Sequence, residues 1–244
     1  MFKLLALACL MIIIHAFSAH AQKYETDVFE TAAGSLRITF FGHGSLMFEF
    51  GDKTVYVDPV SQYADFSQLP KADLILLTHE HFDHMDPKAL GLLRIDKTAM
   101  IGPQVCAKGA PRIIVLHNGN VQTLLGLTIK AVPAYNIVHM RSPGQPFHPK
   151  GVGNGYVITF GNKRVYVAGD TENIPEMAHL KGIDIAFLPM NLPYTNTPEM
   201  VADAARKFRP KVLYPYHFSD TDTSKILDLL KDDKDIEVRI RKLS

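Results

Sequence analysis

The sequence is poor in cysteine, in net charge and in long apolar runs. Its two cysteines are Cys9 and Cys106. The first falls in an N-terminal segment expected to be removed, which leaves Cys106 alone and excludes an internal disulfide framework. Charge of one sign is also missing. The 26 basic and 25 acidic side chains nearly cancel, which argues against a disordered tail and against the basic surplus of a nucleic-acid binder. No repeat of solenoid length is evident. The longest apolar run, Leu4 to Ala16, is shorter than the ~20 residues that a membrane span requires.

That run follows Lys3 and precedes the small-residue triplet Ala19-His20-Ala21, the pattern of an export signal over residues 1–21. Cleavage before Gln22 removes Lys3 and no acid, so 25 basic and 25 acidic residues remain over residues 22–244. A periplasmic or secreted location follows, with no stable membrane association after cleavage. Stability then has to come from packing.

What the chain does have is short β-rich runs punctuated by Gly, Asp and Pro: Leu36 to Phe40, Leu46 to Phe50, Thr54 to Val57 and Leu74 to Leu77. Gly51-Asp52 and Gly161-Asn162 read as hairpin turns. Later runs at Ala99 to Ile101, Arg112 to Leu116, Val121 to Val132, Tyr156 to Phe160, Arg164 to Val167, Asp184 to Leu188, Val212 to Tyr214 and Ile236 to Ile240 read as further strands. Helices are expected from Pro87 to Leu93 behind Asp86, from Pro198 to Phe208 behind the cap Thr197, and near Ser224 to Leu230. Two strand-rich halves with helices mixed in suit two sheets packed face to face. Asn136 to Asn154 is one long irregular stretch, of the kind that carries function or mobility.

The informative segment follows the buried-looking run Leu74 to Leu77. Residues His79-Glu80-His81-Phe82-Asp83-His84-Met85-Asp86 hold three His and two Asp in eight positions. His79 and His81, two apart in extended chain, share one side, while Asp83 and His84 fall on the turn into a helix. Imidazole and carboxylate at this density suit a borderline metal such as zinc. The spacing is not that of two histidines four apart on a helix. Donors from one loop cannot complete two metal sites. Asp170, at the end of the strand Arg164 to Val167, and His217, beyond Val212 to Tyr214, are the next candidates; a helix cap and a half-buried histidine are their bland alternatives.

Through Thr78-His79-Glu80-His81-Phe82-Asp83-His84, then Gly169-Asp170-Thr171, then Tyr216-His217, the sequence resembles the metallo-β-lactamase superfamily. Phe41-Gly42-His43-Gly44 and Val57-Asp58-Pro59 bring it near the branch related to ascorbate-6-phosphate lactonase. The resemblance covers nearly all of residues 35–240. It implies an α+β fold, a four-layer αβ/βα sandwich of two mixed sheets with outer helices, and a single catalytic domain over residues 22–244. It also implies two divalent metal ions, zinc favoured and manganese or iron compatible. His79 and His81 would hold the first ion, Asp83, His84 and His217 the second, and Asp170 would bridge them.

The pattern departs where a third His for the first ion is expected, because Asn136 stands there. His148 is preferred, since it feeds directly into the next strand, with His139, or no third histidine at all, as the alternatives. His43 and Asp58 can hydrogen-bond ligating imidazoles or simply shape turns, and Thr78 is grouped with Asp58 as a support. Asp83, with His43, is the candidate orienter of the nucleophile. Tyr135 and Tyr194 are candidates for the pocket wall, although simple packing is the commoner use of such rings, and Lys150 reads as a solvated charge more than as an anion contact.

The expected activity is hydrolysis of a small ester, lactone or phosphodiester by a metal-activated hydroxide. A metal-containing ligand-binding protein of the same fold, without turnover, is the competing reading. Redox chemistry with a flavin partner, antibiotic hydrolysis and nuclease action are ranked lower. The substrate and the oligomeric state are not legible.

Overall fold

Continuous apolar runs in the middle of the chain become strands buried on both faces, and the alternating runs become strands with one face on each of two cores. The structure is a computed structural model and describes residues 24–243; the expected export signal over residues 1–21 and its expected cleavage site lie outside these residues. The first sheet is built from β1 (Glu25–Thr31), β2 (Gly34–Gly42), β3 (Ser45–Phe50), β4 (Lys53–Val57), β5 (Leu74–Leu76), β6 (Ala99–Gly102) and β7 (Ile114–Val115), in that spatial order. The second half contributes β8 (Val121–Leu124), β9 (Leu127–Ala134), the small hairpin β10 (Met140–Ser142) and β11 (Gln145–Pro146), then β12 (Gly153–Phe160), β13 (Lys163–Val167), β14 (Ile185–Pro189), β15 (Val212–Tyr216) and β16 (Glu237–Val238). Its sheet runs β16-β15-β14-β13-β12-β9-β8.

Both sheets are mixed in the same way. β1 to β4 pair antiparallel and β4 to β7 parallel; β8, β9, β12 and β13 pair antiparallel and β13 to β16 parallel. Antiparallel neighbours need only tight turns, whereas parallel neighbours need crossovers. The helices accordingly sit in the parallel halves: α1 (Pro87–Leu93) between β5 and β6, α2 (Pro198–Phe208) between β14 and β15, and α3 (Ser224–Leu230) before β16.

Side-chain alternation assigns the two faces. Leu36, Ile38 and Phe40 of β2, Val55 and Val57 of β4 and Leu74 and Leu76 of β5 enter the core between the sheets. Phe41, Tyr56, Ile75 and Leu77 face the other way, onto Ala89, Leu90 and Leu93 of α1. Across the sandwich Phe48 stacks on Phe160 with ring centroids 5.4 Å apart, and Phe40 meets Tyr214 at 5.1 Å. Phe187 sits among these rings; truncating such a residue to Ala costs about 3–5 kcal/mol.

The helix ends follow their sequence signals. Asp86 accepts from the backbone N–H of Lys88 (2.8 Å) ahead of Pro87, and Thr197 accepts from Met200 N (3.2 Å) ahead of Pro198. α2 buries Val201, Ala202, Ala205 and Phe208, the last edge-on to Tyr166 of β13 at 5.7 Å.

Three expectations are corrected. The run Val121 to Val132 is not one strand; it folds back at Leu125 and Gly126, both with positive φ (55° and 77°), into the hairpin β8–β9. β1 precedes the expected first strand: it is an edge strand, only partly buried, and its alternation is masked by polar residues. The stretch Asn136 to Asn154 is not wholly irregular, since it contains β10 and β11.

Candidate metal centre

The parallel strands all point their carboxyl ends at one rim, which is where open α/β sheets gather ligand-binding side chains. Asp58 follows β4, Thr78 to His84 follow β5, Asp170 follows β13, and His217 follows β15. His43, one residue past β2, arrives at the same rim. Tight local geometry brings them in. His43, Asp58 and His217 are non-glycine residues with positive φ (53°, 43° and 48°), a conformation costing of order 1–3 kcal/mol when imposed on an L-residue. Gly44 makes room for metal-ligand chemistry more directly: a Cβ there would lie 3.0 Å from the His84 ring.

Two groups of donors result. His79, His81 and His148 lie together, as do His43, Asp83, His84 and His217, and Asp170 joins His79 and His84. Asp170 Oδ2 is 3.3 Å from His148 Nε2, 3.4 Å from His217 Nε2 and 3.9 Å from His79 Nε2, while its Oδ1 is 3.4 Å from His84 Nε2. His79 Nε2 and His81 Nδ1 are 3.0 Å apart. These spacings suit donors sharing an ion, since two ligand atoms at 2.0–2.1 Å in tetrahedral geometry are separated by roughly 3.3 Å. His84 Nε2, Asp170 Oδ1 and both ring nitrogens of His217 are buried and have no hydrogen-bond partner among the described residues. Orphaned donors and acceptors at such density are costly unless something else satisfies them. The residues present therefore fit divalent metal.

Supports behind the donors fix their tautomers. His84 Nδ1 donates to Asp58 Oδ2 (2.8 Å), and Thr78 Oγ1 donates to the same oxygen (2.6 Å) while accepting from His79 Nδ1 (3.0 Å). Asp58 Oδ1 takes the backbone N–H of Thr78 (2.8 Å). One buried carboxylate thus orients His84 directly and His79 through a hydroxyl, leaving both Nε2 atoms to face the centre. His43 Nε2 donates to Asp83 Oδ2 (3.2 Å), and its ring lies 3.6 Å from that of His217.

The electrostatics ask for a cation. Burial disfavours the charged form of His84, but Asp170, Asp58 and Asp83 outweigh it and raise the ring to about 9. Burial dominates at His217, which falls to about 4, and at His79, which lies well below the ordinary histidine value. Asp83 resists burial through the His43 hydrogen bond and the neighbouring imidazoles, and its carboxyl is held far below the usual range.

His148 stands in the first group, whereas His139 does not: its Nδ1 contacts Glu172 Oε1 at 2.6 Å. No helix begins at Asp170; the next turn, Pro175–His179, is preceded by Ile174. Lys150 is paired with Glu176 (2.8 Å), and the Tyr135 hydroxyl donates to the same Glu176 (2.9 Å), so the expected wall position falls to Tyr194 and not to Tyr135.

Sequence reasoning missed two residues that hold the site. Asn136 Oδ1 accepts from both His148 Nδ1 (2.7 Å) and His148 N (2.9 Å), and its Nδ2 donates to Glu172 Oε1 (3.0 Å). The side chain standing where a histidine was expected therefore aims the histidine twelve positions later. Buried Glu172 also accepts from the backbone N–H groups of Ile137, Val138 and His139 at 2.6–2.7 Å, anchoring the whole loop. Its proximity to Asp170 in Asp170-Thr171-Glu172 was the only available signal.

Two mixed sheets with a His/Asp cluster at their strand ends define a protein of the metallo-β-lactamase fold. Residues 37–217 match the β-lactamase superfamily domain, and the chain belongs to that family. It is a metal-dependent hydrolase relative: the UPF0173 metal-dependent hydrolase of Pyrobaculum islandicum is 30% identical over 228 residues, covering 86% of this chain and 93% of that one. A crystallised protein of Parabacteroides distasonis, provisionally named a metal-dependent hydrolase, is 49% identical, with a TM-score of 0.87 over 91% of this chain and all of its own. Igni18, a metallo hydrolase of Ignicoccus hospitalis, shares the fold at 24% identity, with a TM-score of 0.71 over 86% of this chain and 96% of its own.

Proposed function

We propose that the protein is a dinuclear metallohydrolase that cleaves a small ester, lactone or phosphodiester. The observation that carries this reading is the set of buried ligand atoms on His84, Asp170 and His217 that have no hydrogen-bond partner among the described residues and gather at the Asp170 carboxylate. His79, His81 and His148 would hold one ion, Asp83, His84 and His217 the other, with Asp170 between them and zinc favoured over manganese or iron by the mixed nitrogen and oxygen donors. Metal held there supplies Lewis acidity and a lowered pKa for coordinated water.

The chain's own residues do the rest. Asp83 stays ionised at neutral pH and offers an acceptor at the cleft floor, while His43, donating to its Oδ2, restricts how that carboxylate turns. Asp58, Thr78 and Asn136 keep the imidazoles in the tautomers that ligate. The cleft above, about 420 Å³ and lined in part by Phe82, Phe147, Asn191 and Tyr194, has the dimensions of a small-molecule site.

Metal analysis of the purified protein, followed by a screen of generic esters, lactones and phosphodiesters, tests the reading. Two equivalents of metal with turnover is the expected result; a fully active metal-free protein defeats it. Stoichiometric metal with tight ligand binding and no turnover would favour the binding-protein alternative. We also propose an exported, periplasmic or secreted enzyme with no nucleic-acid partner; intact Met1 on the mature protein recovered from cells would sink the export part. Among the described residues no helix is long and apolar enough to cross a membrane.

A further inference from the structure

We propose that Arg141 is a specificity residue that clamps an anionic oxyacid group of the substrate, carboxylate or phosphate, at the rim of the cleft. It deepens the hydrolytic reading above, resting on it for the position of the scissile bond. Among the cleft-lining side chains Arg141 is the sole lysine or arginine. Its guanidinium makes no hydrogen bond or ion pair among the described residues and lies over the face of Phe147, at 5.8 Å from the ring centroid.

The residue is presented on a built platform. Met140–Ser142 pairs with Gln145–Pro146 around Gly144, whose φ is +74°. The segment leading into this hairpin is tied down by Glu172 through three backbone N–H groups. Phe147, the next residue after the hairpin, precedes His148 of the metal centre and packs edge-on to Tyr194 at 5.1 Å. The wall between the metal centre and the guanidinium is carried largely by Phe147 and Tyr194, with a solvent-exposed planar fork, free of protein partners among the described residues, at its outer end.

That arrangement describes a ligand by its chemistry: a scissile ester-type bond at the floor, a short apolar stretch along Phe147, and an oxyanion placed to take two parallel N–H bonds from Arg141. A neutral substrate leaves the fork unused. A longer apolar tail without charge fits the wall but not the rim.

The test compares 4-nitrophenyl hydrogen glutarate with 4-nitrophenyl butyrate on the zinc-loaded protein, alongside calorimetric binding of glutarate and butyrate. The expected result is a kcat/KM preference for the anionic ester, carried mainly in KM. Arg141→Ala should reduce that preference by roughly 10- to 100-fold, and Arg141→Lys should recover part of it. Glutarate should bind more tightly than butyrate by a factor that also falls in Arg141→Ala; replacing the glutarate ester by 4-nitrophenyl 4-phosphonobutyrate, with the scissile ester unchanged, shows by its Arg141-dependent kcat/KM whether phosphonate or carboxylate is the better occupant, and either result upholds the clamp. Turnover of both esters without charge preference, or a preference that survives Arg141→Ala, overturns the clamp while leaving the hydrolase intact. If neither ester turns over, Arg141-dependent binding of glutarate upholds the clamp and counts against the hydrolase; equal binding of glutarate and butyrate overturns the clamp.

Discussion

Two clusters of charged and polar groups in this fold use similar ingredients and end in opposite states. Where β1 meets the C-terminal segment, Asp27 accepts from Arg241 (2.7 and 2.8 Å), from Arg239 (3.2 Å) and from the Tyr214 hydroxyl. Both carboxylate oxygens have partners of opposite charge or a donor hydroxyl, and nothing is left over. At the strand ends, Asp58, Asp83 and Asp170 are crowded by histidines, yet several of the buried nitrogens and oxygens face one another without a shared proton. The first cluster is complete as protein and joins the two sheets. The second is complete only with something bound, and this is how a structural charge cluster can be told from a functional one without reference to any relative.

The comparison breaks most sharply at Asp170. On the proposed dinuclear reading, Asp170→Ala should abolish retention of one or both metal ions and lower hydrolysis by roughly a thousandfold or more, read by metal analysis and kcat/KM. A variant that keeps both ions and its rate would remove the bridging role. Next in size is Asn136→Ala, which frees the His148 ring and should weaken zinc binding by roughly 10- to 100-fold in chelator competition; unaltered affinity would mean that the ring is held by packing alone.

The Asp27 cluster gives a smaller and different response. Burial pushes the Asp27 carboxyl up, but Arg241, Tyr214 and Arg239 outweigh it and hold it below its ordinary value of 3.8. Its contribution to stability is therefore present above that value and lost as pH falls through the lower folded value. Asp27→Asn should cost about 1–3 kcal/mol at neutral pH and flatten the acid limb of a thermal-midpoint profile. An acid limb as steep as in the parent chain would refute that assignment. The smallest effect is expected at His139→Ala, less than about threefold in zinc affinity, because that ring lies on Glu172 and outside the donor group; a large loss would return His139 to the candidates.

How much of this was readable beforehand follows the range of each signal. The His79 to His84 run is local, so its spacing announced chemistry directly, and Asp170 and His217 followed because each ends a recognisable strand. The alternating core strands and the capped helices α1 and α2 were equally plain. β1 was not, because an edge strand half open to solvent carries little apolar pattern. Asn136 and Glu172 were hidden for another reason. Neither residue type marks a ligand support by itself, and their meaning appears only when the fold brings positions 136, 148 and 172 together. Arg141 was silent too, since a single arginine in a loop looks like any solvated charge until the cleft beside it is seen.

The shared attachment at Asp58 has a consequence for engineering the centre. Because His84 leans on it directly and His79 through Thr78, the two halves of the site have a common tether, and loosening it disturbs both at once. On the proposed two-ion reading, attempts to retune one ion without the other would do better to work from the Asn136 side, where His148 is the one candidate ligand held.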